Sequence, residues 1–86
     1  MIMPKNVERI VVKGSHFIEQ IGFHDESKSV YVKMIGGEWY GYQFKAKSFY
    51  EAMKAMLPNV SAKVLGSIYG GVLKNSKFAA DIALIK

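Results

Sequence analysis

The alternation of apolar and polar side chains is clearest between Ser29 and Phe44. Val30, Val32 and Met34 fall on one side of an extended segment, with Tyr31, Lys33 and Ile35 on the other. Gly36-Gly37 then supplies the positive φ that a tight hairpin turn demands. Trp39 to Phe44 resumes period two, so Tyr40, Tyr42 and Phe44 share one face and Trp39 and Gln43 the other. Upstream, residues 7–13, with Val7, Ile10, Val11 and Val12, predict a short strand that Gly14-Ser15 breaks. Phe17 to Phe23 predicts a second strand. Phe17, Ile21 and Phe23 lie on one face of it, and Ile18 and Gln20 on the other. Glu19 interrupts the first of these faces, which points to an edge position or partial exposure. His24 to Lys28 forms a polar turn into the hairpin, where Asp and Ser can bond their own backbone.

After Phe44 the period changes. Ser48-Phe49-Tyr50-Glu51 has the form of a capping box. Phe49, Ala52, Met53, Met56 and Leu57 then recur at helical spacing, giving one apolar face that should lie on the sheet, and Pro58 closes the helix. A second helix is predicted from about Ser61 to Leu73, with Val64, Leu65, Ile68 and Val72 as its stripe. Gly66, Gly70 and Gly71 weaken it, each by about 1 kcal/mol relative to Ala. The four-residue spacing of Gly66 and Gly70 points to close backbone packing in the core. After the polar break Lys74-Asn75-Ser76-Lys77, the tail reads as a helical turn leading into an extended end, with a strand from Asp81 as the alternative. The expected fold is α+β: an antiparallel sheet of three or four strands, a capped amphipathic helix on one face, and a second helix.

Composition refines this picture. Eighty-six residues make one domain with a modest stability margin. The apolar fraction of 50% suffices for a core and leaves room for a buried surface between subunits of a homo-oligomer. With no cysteine, neither disulfides nor thiolate metal sites are available. No run approaches the roughly 18 apolar residues of a membrane span. The first residues lack the hydrophobic segment of a signal peptide, so a soluble, cytoplasmic protein is expected. Residues 1–42 are neutral, whereas residues 43–86 carry seven lysines against Glu51 and Asp81, so the whole net charge of +5 lies in the second half. A field of that sign attracts phosphate or acidic protein surfaces, or serves solubility alone.

With its elements placed, the chain resembles a known family, the KTSC domain, a small module named after the C-terminus of some lysyl-tRNA synthetases. The likeness runs without a gap from Ser15 to about Met53. Ser15, Ile18, Ile21, Gly22 and Phe23 match a serine, two aliphatics, a glycine and an aromatic; Ser27-Lys28 and the alternation Val30, Val32, Met34 follow. Gly37 stands at the hairpin glycine, Tyr40-Gly41-Tyr42 at the central Tyr-x-Tyr, and Tyr50-Glu51-Ala52 at the helix start. His24 replaces an aspartate, and Lys45-Ala46 a hydrophobic-proline pair. The family's final segment recurs as Lys77-Phe78 and Ile82 after an insertion at about 58–75, which makes the second helix this chain's own addition. The resemblance implies a single domain over 1–86, of a kind also found in bacterial and phage-type proteins, with an RNA-binding role.

The titratable residues argue against an enzyme. Ser15 and His16 are adjacent, and neighbours on a strand point to opposite faces. His24, Asp25 and Glu26 would be three ligands on one exposed turn, short of a closed metal site. No cofactor is called for. Binding has more support: Tyr31 and Trp39 on the uncovered sheet face can stack on unpaired bases, and Lys33, Lys45, Lys47 and Lys54 can neutralise phosphates. The leading expectation is a non-enzymatic nucleic-acid-binding module, RNA before DNA. The alternative is a small protein-interaction or inhibitor module, such as a phage-type accessory protein. A weaker third is a protein holding a small nucleotide between subunits.

Overall fold

The hairpin of residues 29–44 forms the middle of a five-stranded antiparallel meander. The computed structural model describes residues 2–85. Within them β1 (Glu8–Val11), β2 (Ile18–His24), β3 (Ser29–Met34), β4 (Trp39–Phe44) and β5 (Ile82–Ile85) lie side by side in chain order. In the central ribbon Val30 faces Tyr42, Val32 faces Tyr40 and Lys33 faces Trp39. Gly36 adopts φ 70° in the turn, and the Gly37 N–H donates to the Met34 carbonyl at 3.1 Å. The expected three or four strands become five because Ile82–Ile85 pairs with β4, Phe44 opposite Ile82 and Gly41 opposite Ile85. Four residues are too few for periodicity to separate a strand from a helical turn.

One residue changes the reading of β2. The register with β3 shifts between Ile18 and Gln20, so Glu19 is the extra residue of a β-bulge. A bulge inverts the parity of everything before it. Ile18 therefore enters the core at 1% exposure while Phe17 points outward at 68%, the reverse of strict alternation.

The helical layer follows. Helix α1 (Lys47–Met56) runs into a 3₁₀ turn, Leu57–Asn59, begun by Pro58; α2 (Ala62–Ile68) continues into one π-helical turn, Tyr69–Leu73; a 3₁₀ turn, Ser76–Phe78, leads to β5. The expected capping box at Ser48 does not form. The cap of α1 is Ala46, with no side-chain bond, and its carbonyl accepts the Tyr50 N–H at 3.2 Å. Helix α1 thus begins before Ser48, and Glu51 faces Lys47 instead, at 3.7 Å. Ser61 does cap α2, accepting from the Val64 N–H at 3.3 Å. Gly66, Gly70 and Gly71 do not serve close packing, since a Cβ at any of them would meet nothing within 4 Å.

The core lies between one sheet face and this layer. Ile21, Phe23, Val30, Val32, Tyr42, Phe44 and Ile82 from the sheet meet Tyr50, Met53, Leu57, Leu65 and Leu73. Phe44 stands edge-on to Phe49 and Tyr50, with ring centroids 4.9 and 6.3 Å away, and Phe49 edge-on to Phe78. On the opposite face Tyr31 provides its own cover. Its ring lies over Gly41, where an added Cβ would sit 2.7 Å from the ring edge and 3.0 Å from the Ile85 side chain. Only the missing side chain at Gly41 lets that ring lie down, and Tyr31 is 4% exposed in consequence. Gly41→Ala is expected to destabilise the fold by about 1–3 kcal/mol through overpacking. In urea denaturation the added cost should shrink in the Tyr31→Ala background; strict additivity of the two changes would show that the ring is not what fills the space.

Candidate nucleic-acid interface

The six residues expected to bind nucleic acid fall in three separate places. Tyr31, Lys33 and Trp39 share the uncovered sheet face, as their parity requires, but they do not form an open stacking platform. Tyr31 is buried over Gly41, which corrects its expected exposure. The Lys33 ammonium donates to Glu19 Oε2 at 2.7 Å, a bond that holds the Glu19 carboxyl below the usual carboxylate range. The Arg9 guanidinium carbon lies 5.4 Å from the centroid of the Trp39 ring, so one cation already stands over it.

Lys47 and Lys54 lie together on α1, in a cleft of about 490 Å³ that Asp25, Glu26 and Glu51 also line. Lys54 donates to Asp25 at 2.8 and 2.9 Å and approaches Glu8 at 3.6 Å. A cleft with three carboxylates repels phosphate more than two paired lysines attract it. Lys45 is exposed before α1, its backbone N–H donating to the Asp81 carbonyl and its carbonyl accepting from the Lys28 ammonium.

The β2–β3 turn is structural. His24 is buried and its Nδ1 bonds Ser27 Oγ at 2.5 Å, which in turn donates to Ser29 Oγ at 2.8 Å. Asp25 accepts from the Tyr50 hydroxyl at 2.6 Å as well as from Lys54. Burial, then the Asp25 bond, pushes the Tyr50 phenol well above its ordinary range. Among the described residues no group of three metal-ligating side chains converges.

A better-formed arrangement lies at the opposite, hairpin end of the sheet. Sequence parity placed Tyr40 in the core with Tyr42 and Phe44, yet Tyr40 is 42% exposed because the helical layer stops short of it. Tyr40, Tyr42 and Tyr69 line a cleft of about 310 Å³ with Met34, Lys74 and Leu84. The π turn carries Tyr69 edge-on to Tyr42, centroids 5.8 Å apart, with the two hydroxyls bonded at 2.8 Å. Burial chiefly, with that bond second, raises the Tyr42 phenol far above its ordinary value, so it remains a neutral hydrogen-bonding group. The Lys74 ammonium stands 5.5 Å from the Tyr69 ring centroid. An adjoining cleft of about 410 Å³ adds Asn75 and Ser76 around Lys74 and Leu84. Among the described residues no carboxylate lines either space, and none pairs with Lys74.

Sequence reasoning passed over Tyr69 and Lys74, assigning one to a weak helix and the other to a break. The available signal was their spacing of five, which a π turn brings together, but nothing in the periodicity announces a π turn. Among the described residues no helix is long and apolar enough to cross a membrane. Comparison with protein-family models, with curated proteins and with solved structures finds no match to this chain.

The Asp25 contacts set an acid dependence. The Lys54 hydrogen bond first, and the Tyr50 hydroxyl second, hold the folded-state pKa of Asp25 below its ordinary value of 3.8. The unfolded chain therefore binds that proton more readily, and the contribution present above this value is lost as pH falls through the lower folded pKa. Denaturation midpoints should fall on acidification from about pH 5 to about pH 2, and less steeply in Asp25→Asn. Equal slopes in the two proteins would show that the network adds nothing.

Proposed function

We propose that this protein is a non-enzymatic module that binds single-stranded nucleic acid, RNA before DNA. One observation carries the reading: Tyr40, Tyr42 and Tyr69 converge beside the Lys74 ammonium in a cleft that no described carboxylate lines. Tyr40, 42% exposed, gives a stacking surface that tolerates any base, the buried Tyr42 and the Tyr69 ring beneath Lys74 form the cleft around it, and the ammonium supplies phosphate neutralisation. Asn75 and Ser76 offer hydrogen-bonding groups for a ribose 2′-hydroxyl, which favours RNA. The net charge of +5 acts in the same direction at long range. Membership of the KTSC family, argued from residues 15–53, and a cytoplasmic location belong to this proposal.

A second reading, a protein-interaction module that forms homo-oligomers, is favoured by the exposed apolar side chains Phe17, Ile35 and Leu84. Size-exclusion chromatography with light scattering, alone and with short RNA, separates the two. A discrete oligomer indifferent to RNA supports the second; a complex that dissolves as salt rises supports the first.

For the leading reading, fluorescence anisotropy with labelled mixed-sequence RNA at low salt is the direct test. Tyr40→Ala is expected to weaken binding roughly 5- to 150-fold, the loss of one stacked base. Lys74→Ala should lower the salt-dependence slope by about 0.7, the share of one single-strand phosphate. Absence of binding to single-stranded RNA or DNA at low salt would remove the proposal.

A further inference from the structure

A cleft of about 550 Å³ lies between the β1–β2 loop and α2, away from the tyrosines. Phe17, displaced outward by the bulge, forms one side of it; Lys63, Gly66 and Ser67 form the other, with His16 at the loop. As in the tyrosine cleft, no described residue lining it is acidic, and no described carboxylate pairs with Lys63. That wall lacks a side chain at Gly66, and among the described residues nothing lies within 4 Å of where its Cβ would stand.

The two clefts share no lining residue, but their linings are linked at two places. On the sheet wall the Ile35 N–H donates to the Phe17 carbonyl at 2.7 Å, and its neighbour Met34 lines the tyrosine cleft. On the helical wall Gly66 and Tyr69 are three residues apart, one turn along the same strip of surface. Exposed Phe17 lines the first cleft with Lys63, and exposed Tyr40 and Leu84 line the second with Lys74.

We infer that the two clefts form one path across the hairpin end of the sheet, and that its occupant is an extended RNA strand of about four or more nucleotides rather than a single nucleotide. The inference rests on the RNA-binding reading above and adds its length and direction. Charge decides the occupant: the path pairs rings with two cations and no described anion, which suits a polyanion whose bases face the sheet wall and whose phosphates face the helical wall.

The test compares dissociation constants of dinucleotide, tetranucleotide and octanucleotide RNAs of mixed sequence, by NMR shift titration. The wild-type protein should gain about tenfold or more from the dinucleotide to the longer strands. Gly66→Phe, which adds a ring where a Cβ meets nothing, should leave dinucleotide binding in place and abolish most of that gain. Lys63→Glu, at an exposed side chain, should do the same and carries the test alone if Gly66→Phe does not fold. Tyr40→Ala should weaken every length. Wild-type length dependence in both α2 variants would overturn the continuous path while leaving the tyrosine cleft intact. A protein that binds no RNA of any length would overturn the path and the RNA-binding reading together.

Discussion

Tyr50 fixes where everything else can go. Its ring is 2% exposed against Phe44, and its hydroxyl reaches out of the core to Asp25 on the β2–β3 turn. A phenol can fill apolar volume and still satisfy a polar contact at its tip, which a phenylalanine at the same place cannot. The bond ties α1 to the end of the sheet where β2 turns into β3, and Lys54 reinforces it from the next turn of the helix. Ten residues of helix cannot also cover the hairpin end. The second helix and its π turn bring Leu65 and Leu73 back onto the same core, but Tyr40 remains 42% exposed. The open clefts at that end follow from the anchoring at the other.

The distribution of charge follows the same division. Lys33, Lys47 and Lys54 each face a carboxylate, and exposed pairs of this kind contribute little stability, about 0–1 kcal/mol. Their larger effect is to cancel the local field around the uncovered sheet face and the Asp25 turn. The excess of positive charge is therefore expressed elsewhere, and Lys63 and Lys74 place part of it on the helical wall of the two clefts. Net charge read from composition is correct as a sum, but only pairing geometry shows which cations remain available to a ligand.

Much of the fold was legible because it rests on periodicity and turn chemistry. The hairpin of residues 29–44, the faces of β3 and β4, the α1 stripe closed at Pro58 and the Ser61 start of α2 all follow from local pattern. What local pattern misses is any event that shifts phase. The bulge at Glu19 exchanged Phe17 and Ile18, and the π turn after Ile68 brought Tyr69 against Tyr42. Tyr31 illustrates a different limit. Parity correctly put it on the uncovered face, but its burial depends on a glycine on the neighbouring strand, a tertiary fact that alternation cannot express. The candidate site was the least legible part. Three of its four cations came from the basic second half of the chain, but Lys33, Lys47 and Lys54 turned out to be paired, and the rings that line the cleft had been assigned to the core or to a weak helix.

The glycines of the second helix carry the last step. Gly66 in α2 and Gly70 and Gly71 in the π turn sit where alanine would favour helix by about 1 kcal/mol each. None has a neighbour that a methyl group would strike, so internal packing does not account for them. Their cost in stability is matched by two features of the surface. Gly66 leaves open space in the lining of the cleft that Phe17 and Lys63 share. Gly70 and Gly71 form part of the wide turn in which the Lys74 N–H reaches back five residues to the Tyr69 carbonyl, setting the Lys74 ammonium over the Tyr69 ring. Single π turns are rare, and they occur often at functional sites because they re-aim side chains at the expense of helix regularity. A chain shaped by stability alone would fill these positions with alanine; this one leaves open space beside Lys63 and Lys74, with which no described carboxylate pairs.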